Sequence, residues 1–388
     1  MGIRNILVVT GTRADYGLQK YIMQAIQDDP DLNLEIIATM MHLSTGFGNT
    51  YKEIERDGFS ITECIETLPS SDSEASAAIS ISLGVTGFTD AFMRYKPDII
   101  LLLGDRVEML SAAIAATICK LPIGHMHGGE RTEGAVDECF RHSITKMSHI
   151  HFASTEEYRR RVIQLGEQPR SVFNVGAPGL ETVLKTKLLG RDKLERSLDF
   201  NLGNLFFLIT YHPVTLEKKP KSEAFGALLA ALDLYPDIKV IFTYPNSDMH
   251  GRIIIDMIQN YASKQPNRIY ATKNLGSLLY LSAVNEATCV IGNSSSGLVE
   301  VPFLKTPAVN IGRRQLGRIA PESVLHCAED KYAIKHAIDK AISSDFIKKS
   351  QSVDCLHGDG IVSSKVVSIL KKIDLNDIIV KSFYDIKH

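Results

Sequence analysis

Apolar positions along this chain follow two alternating patterns. Short β-branched and aliphatic runs at residues 5–9, 34–39, 98–103, 122–125, 150–153 and 172–175 read as strands. Between them lie longer segments, such as 107–119 and 156–165, whose apolar residues recur at helical spacing. A run as continuous as IILLLG predicts a strand buried on both faces, as in a parallel sheet covered by helices on each side. The alternation restarts after a charged stretch around residues 185–204, with strands predicted at 205–210, 239–243, 268–271, 288–291 and 308–311. The pattern therefore predicts an α/β chain of two domains, residues 1–185 and 186–360. A last stretch, 361–388, carries a helix-like segment at 361–373 expected to pack back on the first domain.

Composition agrees with this picture and removes some functions from it. A chain of 388 residues is long enough for two cores, and 44% apolar with 23% charged residues is ordinary for a globular protein. Its 43 basic and 45 acidic residues give no electrostatic reason to expect nucleic acid or an anionic membrane as a partner. Six cysteines stand far apart without a CxxC pair, which predicts free, buried thiols in a reducing compartment rather than disulfides or zinc. The N-terminus reads as one short strand with no extended apolar core or cleavage site, and no apolar stretch approaches the length of a membrane span. The expected location is the cytoplasm.

In open parallel sheets ligands collect at the carboxyl ends of strands, so the residues after each predicted strand carry the chemistry. Here they read GTRADYG, GDRVE, HMHGGE, YHPVT, YPNSD, GNSSSG and GRRQLGR. GNSSSG is a serine-rich turn leading to a helix expected near Leu298; its free N–H groups and hydroxyls suit an anion such as phosphate, or a plain serine cap. Glu300, in the first turn of that helix, suits ribose hydroxyls or the helix dipole. GTRADYG lacks the second and third glycines of a dinucleotide fingerprint and the lysine of a P-loop, which weakens nicotinamide and ATP readings; Arg13 can reach phosphate or solvent. Asp105 and Arg106 end a buried strand and so need a partner or a task, an ion pair between them being the plain alternative. The densest chemistry places His125, His127, Glu130, Asp137, Arg141 and His142 within 18 residues, with Asp137 and Arg141 four apart on one helical face. No metal-ligand spacing of the HExxH kind occurs, so acid–base work is favoured over a metal, and none is expected. His212 and Asn246, after two later strands, complete the set of pocket residues.

Taken together and in this order, the motifs from GTRADYG to GRRQLGR resemble the hydrolysing UDP-N-acetylglucosamine 2-epimerases of bacterial sialic acid synthesis, to which the epimerase half of a bifunctional animal enzyme is related. The resemblance implies a glycosyltransferase-B-like fold: two Rossmann-like domains whose parallel sheets face a central cleft, with the nucleotide held mainly by the second. It places UDP contacts on Arg13, Arg106, His212, Asn246, Ser294, Ser295, Glu300 and Arg314, with Leu275 meeting uracil through its backbone. It places the catalytic carboxylates on Asp105 and Asp137, with Arg141 nearby. Many relatives carry a glutamate directly before the GGE glycines; this chain has His127 there and keeps Glu130. Relatives that act on 4-acetamido-4,6-dideoxy sugars for legionaminic acid synthesis also show HxHGGE.

The expected reaction converts UDP-N-acetylglucosamine to N-acetylmannosamine and UDP through a 2-acetamidoglycal, with proton traffic shared among Asp105, Asp137 and His127 and no cofactor. Alternatives are the same reaction on UDP-2,4-diacetamido-2,4,6-trideoxyglucose and sugar transfer by a glycosyltransferase of the same fold. A homo-oligomer, dimer or tetramer, is expected.

Overall fold

The computed structural model describes residues 2–69, 71, 73–132, 136–213, 221–245 and 251–386. The chain forms two compact units: residues 1–130, 137–182 and 357–388 make the first, and residues 131–136 and 183–356 the second. The expected divisions lay at 185/186 and 360/361.

Among the described residues of the first unit, seven strands form one parallel sheet. They are β1 (Arg4–Thr10), β2 (Leu32–Thr39), β3 (Glu63–Ile65), β4 (Ile99–Leu103), β5 (Ile123–Met126), β6 (Ile150–Ala153) and β7 (Val172–Asn174), in the order β3-β2-β1-β4-β5-β6-β7. The second unit repeats the scheme with β8 (Phe206–Thr210), β9 (Lys239–Thr243), β10 (Ile269–Thr272), β11 (Cys289–Gly292), β12 (Ala308–Ile311) and β13 (Val324–Cys327), ordered β10-β9-β8-β11-β12-β13. Both are Rossmann-like, and in each the strand order reverses beside the first strand, between β1 and β4 and between β8 and β11. Ligands of such sheets bind outside the strand ends at that reversal.

Alternation along a strand sends successive side chains to opposite faces, and here both faces are core. Ile6 and Val8 join one apolar cluster with Ile36, Ile99 and Leu101, while Leu7 and Val9 join another with Ile37, Ile100 and Leu102. In the second unit Phe207 and Ile209 lie in one cluster and Phe206 and Leu208 in the other. The predicted strands match these within one or two residues. The two strands that the apolar pattern missed, β3 and β13, are both sheet edges, where one side is unpaired and charged or polar residues such as Glu63 and His326 are tolerated.

Two further expectations need correction. Of the six cysteines, all unpaired, only Cys289 is buried; Cys64 and Cys139 are exposed. One helix, Glu74–Tyr95, is 22 residues long and reaches a mean hydropathy of 1.2, so by length and composition a span-like segment does exist. It packs on the Val107–Ile118 helix and turns Phe88, Ala91 and Phe92 into the core.

The chain ends in the first unit. The Ser363–Lys372 helix packs on the Arg13–Gln27 helix, and Val366, Val367 and Leu370 enter the core around β1. Its N-terminus is held by buried Glu181, which accepts from Ser363 N at 2.6 Å, Val362 N at 3.1 Å and Ser363 Oγ at 2.6 Å. One carboxylate thus satisfies donors that the helix cannot satisfy itself. Replacing Glu181 by Ala leaves these donors buried and unmet, and is expected to lower unfolding free energy by roughly 2–4 kcal/mol, with Glu181→Gln intermediate. Urea denaturation of the full chain checks this; an unchanged midpoint in the Ala variant would refute it.

Candidate active site

The first unit gathers its chemistry where β1, β4 and β5 end. After β1, Thr12 and Asp15 form a reciprocal cap on the Arg13–Gln27 helix: Thr12 Oγ1 accepts from Asp15 N at 3.2 Å and Asp15 accepts from Thr12 N at 2.9 Å. Much of GTRAD is therefore helix-starting machinery. Gly11 is obligatory for another reason, since a Cβ there would collide with the side chain of Glu108. Arg13 is partly exposed and pairs with Glu53.

Asp105 and Arg106 do not satisfy each other; each has its own partner. Arg106 Nε donates to the buried Glu108 carboxylate at 2.9 Å. Burial pushes the Glu108 carboxyl up against the pull of Arg106, and it does the same to Asp15, which also feels that arginine. Asp105 pairs with Arg141.

Arg141 is the centre of the cluster. It lies on the Asp137–Met147 helix and is only 2% exposed. One arm of its guanidinium holds Asp105; the other donates to the carbonyl of His127 at 2.9 Å and stands 4.0 Å from Glu130 Oε2. Burial opposes its charge, but the fields of Asp105, Glu130, Glu138 and Asp137 outweigh it and raise its pKa. Asp137 begins the same helix, one turn before Arg141. His127 Nδ1 meets Glu130, which also accepts from Ser154 Oγ at 3.0 Å. The structure thus brings Asp105, His127, Glu130, Asp137 and Arg141 together. His125 has a structural place: its Nε2 bonds the carbonyl of Gly104 at 2.8 Å and its Nδ1 faces Thr145 at 3.1 Å, with burial holding its pKa down to about 3. His142 pairs with Glu138 one turn away.

The second unit gathers its polar residues at the ends of β8, β11 and β12. Gly292 has φ +144°, and a Cβ there would overlap the carbonyl of Thr210, so β8 and β11 approach closely where they end. The next residue, Asn293, is fully buried and was not singled out from the sequence. Its side chain accepts from His212 N at 2.7 Å and donates to His212 O at 2.8 Å. Its own carbonyl receives Gln315 Nε2 at 2.8 Å and Arg314 Nη1 at 3.2 Å. His212, Arg314 and Gln315 are therefore tied to one residue. The signal was in GNSSSG: an asparagine directly after a buried strand, with both amide groups needing partners.

GNSSSG contains a single 3₁₀ turn, Ser295–Gly297, and the helix expected near Leu298 begins at Glu300 and runs only to Phe303. Pro302 has no N–H, so it is accommodated only in a first turn, and Lys305 with φ +64° ends the segment. Glu300 begins the short helix, as expected of a first-turn acid. Ser294 and Ser295 lie in the turn, Ser295 exposed and Ser294 partly buried. A small cavity is lined by Thr210, Gly292, Ser294, Gly297 and Asn310. Leu275 directly precedes the Gly276–Glu286 helix after β10. Asn246 lies outside the described residues. Arg318 Nε donates to the carbonyl of Arg131 at 2.8 Å, both in this unit.

The chain as a whole is similar to known proteins. Residues 24–371 match the family model of UDP-N-acetylglucosamine 2-epimerase. The chain is 40% identical over 387 residues to a GDP/UDP-N,N'-diacetylbacillosamine 2-epimerase (hydrolyzing) of Campylobacter jejuni, covering 100% of both chains. It is 38% identical over 374 residues to a UDP-N,N'-diacetylbacillosamine 2-epimerase (hydrolyzing) of Legionella pneumophila, covering 96% of this chain and 97% of the relative. In fold it is similar to the UDP-N-acetylglucosamine 2-epimerase of Neisseria meningitidis bound to UDP-N-acetylglucosamine, with a TM-score of 0.80, 17% identity and coverage of 95% and 100%. Two Rossmann-like units in the glycosyltransferase-B-like manner, the matched model and these relatives lead to one conclusion: the chain belongs to the UDP-N-acetylglucosamine 2-epimerase family.

Proposed function

We propose that the chain is a hydrolysing 2-epimerase that takes UDP-2,4-diacetamido-2,4,6-trideoxyglucose (UDP-N,N'-diacetylbacillosamine), inverts C2 and releases UDP and the free manno-configured sugar. This replaces UDP-N-acetylglucosamine as the preferred substrate, because two full-length relatives at 38% and 40% identity are named for the diacetamido sugar. Synthesis of legionaminic-type acids is the corresponding role.

The observation that carries the reaction type is the convergence of Asp105, His127 and Glu130 on buried Arg141. The C2 hydrogen of a pyranosyl nucleotide has no neighbouring carbonyl and is not acidic. Departure of the diphosphate must lead, leaving positive charge at C1 that makes C2–H removable. Such a reaction needs proton carriers at C2 and donors for the departing diphosphate. Acid–base residues stand in the first unit. Arg314, Ser294, Ser295 and Glu300 of the second, with Arg13, Arg106, His212, Asn246 and Leu275, are the residues that we assign to the UDP moiety. Elimination gives a 2-acetamidoglycal; water then adds to C1 and a proton returns to the opposite face of C2. No cofactor enters this sequence. A cytoplasmic location and a homo-oligomer belong to the same reading. The outer face of the Glu74–Tyr95 helix, with Ile79, Leu83 and Met93 exposed, supports self-association.

Incubated in deuterated water with the diacetamido substrate and no acceptor, the protein is expected to release UDP and yield free sugar deuterated at C2, faster than from UDP-N-acetylglucosamine. UDP remaining on the product, or no product without an acceptor sugar, would instead indicate a non-hydrolysing epimerase or a glycosyltransferase. Asp105→Asn and Asp137→Asn should each lower turnover by ~10²–10⁴-fold and spare UDP affinity measured by calorimetry. Parallel loss of both quantities would make these residues binding groups. Sedimentation analysis tests the assembly: a species at the single-chain mass of 42.9 kDa would exclude a homo-oligomer.

A further inference from the structure

Residues 381–384, beyond the Ser363–Lys372 helix, lie as a strap on the first unit. Tyr384 N donates to the carbonyl of Gly166 at 2.9 Å, and Gln168 Nε2 donates to Ser382 O at 3.3 Å and Ser382 Oγ at 3.1 Å. Phe383 lies against Gly166, where a Cβ would collide with its ring. Lys146 Nζ stands 5.1 Å from the centre of the same ring. Held on either side, Lys381 sends a largely buried side chain inward.

An ammonium group has three protons to donate, and Lys381 meets three acceptors. They are the carbonyl of Lys146 at 2.7 Å, the carbonyl of Ser148, and Oε2 of Glu167 at 2.8 Å. Glu167 is itself buried, and it also accepts from His151 Nε2 at 3.0 Å and from Lys146 Nζ. Burial lowers the pKa of Lys381, and Glu167 pulls the other way.

These acceptors lie at the far end of the helix that carries Asp137 and Arg141. The last carbonyls of a helix have no partner inside it. Here Ser148 Oγ serves the carbonyl of Ile144 at 2.7 Å, Ser148 N that of Thr145 at 3.1 Å, and Lys381 that of Lys146. Ser148 belongs to the two-residue turn between this helix and β6. One cation thus joins the helix end, the turn and Glu167, at the end where a helix dipole favours positive charge. Lys146 follows Arg141 by little more than one turn. The helix is pinned by Arg141 at Asp105 and the carbonyl of His127, and by Lys381 at its close.

Resting on the epimerase reading above, which puts Asp105, Asp137 and Arg141 at the reacting sugar, we propose that Lys381 is a positioning residue for the acid–base helix. The strap delivers its ammonium group, and the ammonium group fixes the helix along its axis. Without that group the helix end is free to shift, drawing Arg141 from Asp105 and Asp137 from its working distance. Reacting groups tolerate little of this, since a displacement of roughly 1 Å can cost ~10²-fold in rate.

The test uses the full chain, UDP-N,N'-diacetylbacillosamine as substrate, UDP as the binding probe, and amide hydrogen exchange. Lys381→Met keeps the apolar stem and removes the three donors. Its kcat should fall by roughly 10–100-fold with KM and UDP affinity unchanged, and the amides of residues 141–148 should exchange faster. Lys381→Arg should recover most of both. A merely structural strap would lower the urea midpoint and leave the kcat of the folded protein where it was. Should Lys381→Met not fold, Phe383→Ala at a largely exposed position loosens the strap, with smaller shifts in the same directions. Wild-type kcat or wild-type exchange in the variant that folds overturns this inference, as does a rise in KM alone. A wild-type chain that releases no UDP from either sugar overturns the epimerase reading, while the exchange result still decides whether Lys381 holds the helix.

Discussion

A guanidinium cannot be taken out of water without anionic partners, and that requirement organises the first unit. Arg141 is almost wholly enclosed, and its two terminal amino groups are met by the turn after β4 and the loop after β5, while Asp137 and Glu138 of its own helix add their fields. Three carboxylates that would otherwise repel one another are held within reach of the same cation. It fixes the positions of Asp105 and Glu130, and through the carbonyl of His127 it also ties down the loop that carries the imidazole.

The second unit solves the same geometrical problem without charge. Asn293 offers an amide that can both accept and donate, and it spends both on the backbone of His212. Its carbonyl then collects Gln315 and Arg314. In both units the organising residue stands at or beside the point where strand order reverses, which is where a doubly wound sheet leaves strand ends uncovered. Shared topology thus explains why polar residues accumulate there, and the local chemistry differs because one cluster is built around a buried cation and the other around a buried amide.

Much of this was readable from the chain alone. Strands buried on both faces announce themselves as unbroken apolar runs, and most of the eleven predicted strands were legible for that reason, whereas the edge strands β7 and β10 were short β-branched or aromatic runs. Edge strands β3 and β13 were not, since a half-paired strand needs no such run. Asp105 stood out because charge is otherwise unwelcome at the end of a buried strand, Asp137 and Arg141 by their four-residue spacing in the densest polar stretch, and the catalytic assignment came from the family resemblance. Their partners were harder to see: Asp105 and Arg106 are neighbours in sequence yet point to different counter-ions, Arg141 and Glu108, and adjacency gave no hint of either. Asn293 was hidden between a glycine and three serines whose phosphate chemistry attracted attention first. The helix after GNSSSG starts within two residues of the expected place; its end after one turn follows from Lys305, whose φ is +64°.

The return of the terminal helix to β1 has a consequence for how the molecule is made. The sheet synthesised first lacks the Val366, Val367 and Leu370 side of its core until residue 370 has been made. The later sheet, by contrast, is complete by residue 356. Nascent chains usually settle from the N-terminus onward; here the earliest segment must wait for the latest. Truncating a few dozen residues from the C-terminus would therefore harm the half of the protein that was translated first.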